Sequence, residues 1–185
     1  MNRCVLIAAL SLPFIASIAS AQGPPTPKDT AILKDFETRV SAYMKVHRAA
    51  EADVAALRKT ASAKEIVSRQ AELAESVRAH HPAKQGDIFT PEVAGEFRRL
   101  VAMTMKGPNA ARVKKSLKSA EPVELSLKVN DTYPERAPLQ STPPTLLMNL
   151  PKLPPELEYR VVSRALILLD VKAGILVDFV PDLIK

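Results

Sequence analysis

The chain has 185 residues, 26 Lys and Arg against 20 Asp and Glu, and 46% apolar residues, enough for one compact domain and too apolar for disorder throughout. One Cys, no Trp and 4% aromatic residues exclude a disulfide framework and a Cys-based metal cluster, and leave little for sugar stacking. Five scattered glycines and no G-x-S-x-G run remove the Gly-rich phosphate loop and the nucleophile elbow.

The N-terminus reads Met1-Asn2-Arg3, an apolar stretch from Cys4 to Ala19, then Ala19-Ser20-Ala21. A basic start, an apolar segment and an A-x-A site are the three parts of a secretory signal peptide. Residues 1–21 are therefore expected to be cleaved after Ala21. Pro13 interrupts a run already short for a membrane anchor, and Cys4 precedes the apolar segment, unlike a lipoprotein cysteine. No other stretch reaches transmembrane length. The expected product is soluble, periplasmic or extracellular, and free of Cys, which suits an oxidising compartment.

Residues 22–28 form a Pro-rich lead-in. Residues 28–120 then carry 18 basic and 11 acidic residues, and 29–120 read as a basic helical region. Leu33, Phe36, Val40, Tyr43, His47, Ala50, Val54 and Leu57 follow a 3–4 spacing that predicts one helix over about 29–59. Ser62-x-x-Glu65 is a capping box, after which Ile66, Gln70, Leu73, Val77 and His80 mark the inner stripe of a second helix that Pro82 ends. The two predict an antiparallel hairpin; the first stripe would serve a homodimeric coiled coil equally well. Thr90, Pro91 and Gly107-Pro108 bound a third helix, with Phe89 as a hydrophobic staple, and Asn109 caps a short fourth one to about Lys118.

Residues 121–156 read as a Pro-rich crossing with 8 of the 16 prolines. Val123, Leu125, Leu127 and Val129 alternate as one strand, and a helical turn is expected at 145–150. Residues 157–185 then predict three strands, 157–162, 165–169 and 174–180, as an antiparallel meander. The fold class is thus α+β: a helical hairpin with one or two further helices, then a small C-terminal β-meander.

The run LEYRVVSRALILLDVKAGILVDFV, residues 157–180, resembles the C-terminal meander of small exported bacterial proteins, among them periplasmic proteins linked to nickel and cobalt homeostasis. The layout including GDIFTPEVAGEFRRL, residues 86–100, is similar to exported bacterial proteins of unassigned function. Neither resemblance carries a functional residue onto this chain.

Two residue groups are candidate sites. His47 and His80 fall on the facing stripes, Glu51 follows His47 by one helical turn, and His81 adds a third imidazole, a set that could hold a divalent transition metal. Arg98, Arg99, Lys106, Arg112, Lys114, Lys115 and Lys118 lie within 21 residues with no acid among them. In an exported protein such a face suits an acidic envelope protein or an anionic envelope polymer, not nucleic acid. No catalytic constellation is visible. The chain therefore reads as a non-catalytic envelope binding protein without a cofactor, with metal binding as the alternative and a hydrolase with an unrecognised site third.

Overall fold

A computed structural model describes residues 26–56, 62–118, 126–134 and 142–184. The expected signal peptide, the start of the lead-in and positions 123–125 of the expected crossing strand lie outside these residues. The described chain runs α1 (Pro27–Ala52), α2 (Ala63–His80), α3 (Pro91–Thr104), α4 (Ala110–Lys118), α5 (Pro144–Leu147), β1 (Leu157–Val162), β2 (Ala165–Asp170) and β3 (Ile175–Val180). The fold is α+β, with, among the described residues, five helices ahead of an antiparallel three-stranded sheet in the order β1-β2-β3.

Helix α1 begins at Pro27, inside the expected lead-in. Thr26 and Asp29 supply a reciprocal capping box, the Thr26 hydroxyl accepting from Asp29 N at 3.2 Å and the Asp29 carboxylate from Thr26 N at 3.0 Å. That backbone bond, first among several causes, holds the Asp29 carboxyl below its ordinary range. The helix ends at Ala52, short of the expected 59. Its inner stripe, Phe36, Val40, Tyr43, His47 and Ala50, is buried, and packs within the chain against α2, α3 and the sheet.

The core is one apolar mass shared by helices and sheet. Phe36, Phe89, Phe97 and Tyr159 form its centre, with Phe36 4.9 Å from Phe97 and 5.7 Å from Phe89 between ring centroids. Phe89, expected as a staple, is thus a central core residue. The helix-facing row of β2 is Leu166, Leu168 and Asp170, in strict alternation, while Ile167 joins a smaller cluster on the far face with Val162, Ala165 and Leu176. Leu127 and Tyr133 of the crossing cover that second face, which explains why all six β2 residues are buried.

A bulge between β2 and β3 resets the alternation of β3, so Val177 and Val180, three apart, both join the helix-side core. Buried Asp178 lies beside the bulge. It accepts the backbone N–H groups of Gly86, Ile88 and Phe89 at 3.0, 2.9 and 2.7 Å, which fastens the α2–α3 loop to the sheet.

The expected crossing strand does not extend through its described part. Residues 126–128 are irregular, and the segment meets the sheet only through a bridge from Thr132 to Ile175 with flanking bonds such as Asn130 N to Leu176 O at 2.8 Å. Asn130 turns the chain with φ 68°, which breaks a strand at that point. Even so the segment lies along the β3 edge and covers it. The expected turn at 145–150 is α5, shifted to Pro144–Leu147.

Candidate functional site

The buried end of β2 carries the most unusual chemistry of the chain. Asp170 continues the helix-facing row of Leu166 and Leu168, so strand geometry sends a carboxylate into the core with no exposed surface. Across from it, the inner stripe of α1 presents Tyr43 and His47. The Asp170 Oδ2 accepts from the Tyr43 hydroxyl at 2.7 Å and lies 2.5 Å from the His47 Nδ1. Its Oδ1 accepts from the backbone N–H groups of Lys172 and Ala173 at 3.0 and 2.9 Å, an Asx turn that starts the β2–β3 connection. Four donors on one carboxylate satisfy an ionised acid. Burial, and after it the adjacent Asp170 charge, pushes the Tyr43 phenol far above its ordinary pKa.

Because Nδ1 is engaged with Asp170, the imidazole is fixed with its Nε2 pointing the other way. That atom is buried and has no hydrogen-bond partner, and the nearest carboxylate is Glu51 at 3.7 Å. Glu51 is half-exposed and pairs with Lys172 at 3.2 Å.

Glu51 and Lys172 also line a cleft of about 500 Å³, inside the ~300–1,000 Å³ range of small-molecule sites. The cleft sits at the end of the hairpin where α1 stops. Val54, Ile66, Leu73 and Val171 give it apolar walls, and Arg69 and Gln70 give it polar ones. Helix α1 ends at Ala52, and Ile66, expected on the inner stripe, is 47% exposed. Arg69 is the unbalanced group. Its Nε and Nη1 are buried and have no hydrogen-bond partner. Its helical neighbour Glu72 is bonded to Ser68 at 3.2 Å, and Glu51 is engaged by Lys172.

Gln70 separates this cleft from a smaller one of about 290 Å³ on the other side of α2. Its amide donates to the Val171 carbonyl at 3.3 Å, and Gly174, with φ 65°, lets the turn approach it so closely that a Cβ there would lie 2.8 Å from the Gln70 nitrogen.

The candidate metal residues take separate partners. His47 binds Asp170, His80 pairs with Asp53 at 2.6 Å on the surface, and the His81 ring stacks edge-on to Tyr43 at 6.0 Å. His47 and Glu51 alone stay neighbours, and among the described residues no group of three or more His, Cys, Asp or Glu is placed to hold a metal ion. The hairpin register sets this: α1 delivers His47 to the sheet, not to α2.

The basic residues divide. Arg99 is held by buried Glu96 through two bonds of 2.7 and 2.5 Å and lies 3.7 Å from Asp29, which raises its already high pKa, first through the Glu96 bond. Arg98 reaches the Pro181 carbonyl at 3.4 Å. Lys106, Arg112, Lys114 and Lys115 are exposed, the last three on the outer side of α4, whose Val113 is buried, and Lys118 is its final position.

Asp170, Tyr43, Arg69 and Lys172 were not singled out from the sequence. Asp170 did leave a signal there: a carboxylate at an even position of an otherwise apolar strand, on the row that must face the core. Among the described residues no helix is long and apolar enough to cross a membrane. Comparison with protein families, curated proteins and solved structures finds no match to this chain.

Proposed function

We propose that this protein is an exported, non-catalytic binding protein of the bacterial cell envelope whose ligand seats in the cleft between the end of α1, α2 and the β2–β3 turn. The observation that carries this reading is Arg69. Two of its guanidinium nitrogens are buried without a hydrogen-bond partner, which is costly in an empty site, and an anionic ligand group on this guanidinium offsets that cost. Export is supported by the three-part N-terminal pattern of residues 1–21. The exposed Lys106, Arg112 and Lys114 add a positive surface that favours residence near anionic envelope polymers. Native mass spectrometry of the protein recovered from the periplasmic fraction tests both parts. The expected species starts at Gln22 and carries a small adduct that denaturation releases. A chain recovered only in the cytoplasm with Met1 retained overturns export, and a ligand-free exported chain overturns capture.

A second reading, binding of a divalent transition metal, is favoured by one feature. The His47 Nε2 is unpartnered while Asp170 engages Nδ1, which is how a ligating imidazole is usually oriented, and Glu51 stands 3.7 Å away. Zinc or nickel titrated into chelator-stripped protein, with His47→Gln as control, decides it: a heat of binding lost in the variant supports the site, and none in either protein removes it.

A further inference from the structure

On the reading that this cleft is the binding site, we infer that its ligand is a small amphipathic monocarboxylate, its carboxylate on Arg69 and its apolar body along Val54, Ile66, Leu73 and Val171. The head group follows from donor count. Arg69 lines the cleft with Nε and Nη1 unmatched, and each edge of its planar guanidinium, Nε with Nη2 or Nη1 with Nη2, is a fork that a carboxylate fills with two charge-assisted bonds, one of them to an unmatched donor.

The charge follows from what surrounds it. Of the three ionisable residues that line the cleft among the described residues, Glu51 and Lys172 pair with each other at 3.2 Å, so among these one positive charge is left to balance. A dianion would bring a second negative charge into the cleft with Glu51 already there. The body follows from the walls. Ile66 is 47% exposed although its helical stripe belongs to the core, and burying such a side chain against a hydrocarbon is worth ~25 cal/mol per Å². A simple anion would leave that surface wet, and a neutral hydrocarbon would leave the guanidinium unmatched. A ligand with both parts satisfies both, within about 500 Å³.

The test is thermal unfolding of the full chain with octanoate below its micellar concentration, against 1-octanol and inorganic phosphate, in the wild type, Arg69→Met and Arg112→Gln/Lys114→Gln. Octanoate at 100 times its Kd is expected to raise Tm by about 5–10 °C. The rise should vanish in Arg69→Met and persist in the basic-face variant, with no shift from octanol or phosphate. Protection by octanoate that survives Arg69→Met, or that the basic-face variant abolishes, overturns the proposal. If phosphate protects through Arg69 and octanoate does not, the ligand class is overturned while the cleft stands. If no anion shifts the wild type, the carboxylate proposal falls, and an Arg69-independent adduct in the native mass spectrum would then move the binding site elsewhere.

Discussion

The His47 Nδ1 and the Asp170 Oδ2 lie 2.5 Å apart with 123 residues of chain between them. One comes from the inner stripe of the first helix and the other from the helix-facing row of the middle strand, so this pair ties the helical half to the sheet. It also brings the carboxylate at the end of β2 into the apolar interior, where it depends on its four donors. Asp170→Ala is expected to destabilise the protein by about 3–5 kcal/mol, because His47, Tyr43 and two backbone amides lose their acceptor together. Tyr43→Phe removes one donor and leaves the carboxylate otherwise satisfied, at about 1 kcal/mol. Urea unfolding of the two variants checks this; equal effects would mean that Asp170 is not the hub.

The phenols of Tyr43 and Tyr159 set an alkaline limit. Burial raises both pKa values, helped for Tyr43 by the Asp170 charge. In the unfolded chain each ionises near its ordinary value of 10.0, while in the fold each stays protonated. The unfolded state therefore binds fewer protons above that pH, and stability is full below pH 10 and falls as pH rises. The slope is up to about 1.4 kcal/mol per pH unit for each tyrosine. Urea unfolding between pH 9 and 11 should show it, with the slope reduced in Tyr43→Phe and again in the double variant with Tyr159→Phe. An unchanged slope would place the phenols in contact with solvent.

Gly174 is required for two reasons that mutation can separate. Its φ of 65° disfavours any L side chain, and a Cβ would press on Gln70 at 2.8 Å. Gly174→Ala is expected to cost about 1–3 kcal/mol. Shortening the opposing side chain in Gly174→Ala/Gln70→Ala should restore the part due to the clash and leave the backbone strain. Thermal melts of the single and double variants give the split; strict additivity would mean that the two residues do not touch.

Arg69 predicts opposite effects on stability and binding. Replacing a half-buried guanidinium that has two buried, unmatched nitrogens with an apolar side chain removes a desolvation cost, so unliganded Arg69→Met is expected to be more stable than the wild type by about 1 kcal/mol. A site that gains stability on losing its key residue is one shaped for a ligand. Calorimetric melting of the unliganded proteins provides the measurement, and a clear loss of stability in Arg69→Met would make the guanidinium a structural element of α2.

The local devices were legible because they repeat over short distances. Ser62 caps α2 and Thr90 caps α3 as their spacing indicated, and Pro91 opens α3. The three strands fell where alternating or continuous apolar runs met turn residues. The misplacements occurred where local pattern and tertiary context disagree. Val54 and Leu57 continue the apolar spacing of α1, yet the helix stops at Ala52. Leu127 alternates like a strand residue but packs as a cover on the sheet's far face.

The sequence by itself determined the class of fold, because helical and strand periodicities, caps and prolines act within a few residues of one another. It also showed that His47 sits on a core-facing stripe. Only the tertiary structure decided what His47 meets there: Asp170 and not a second histidine, because the packing of α1 on the sheet fixes that contact and no local spacing encodes it. The cleft arose the same way. Its guanidinium, its ion pair and its apolar walls come from α1, α2 and the β2–β3 turn, three segments that only the packed core brings together.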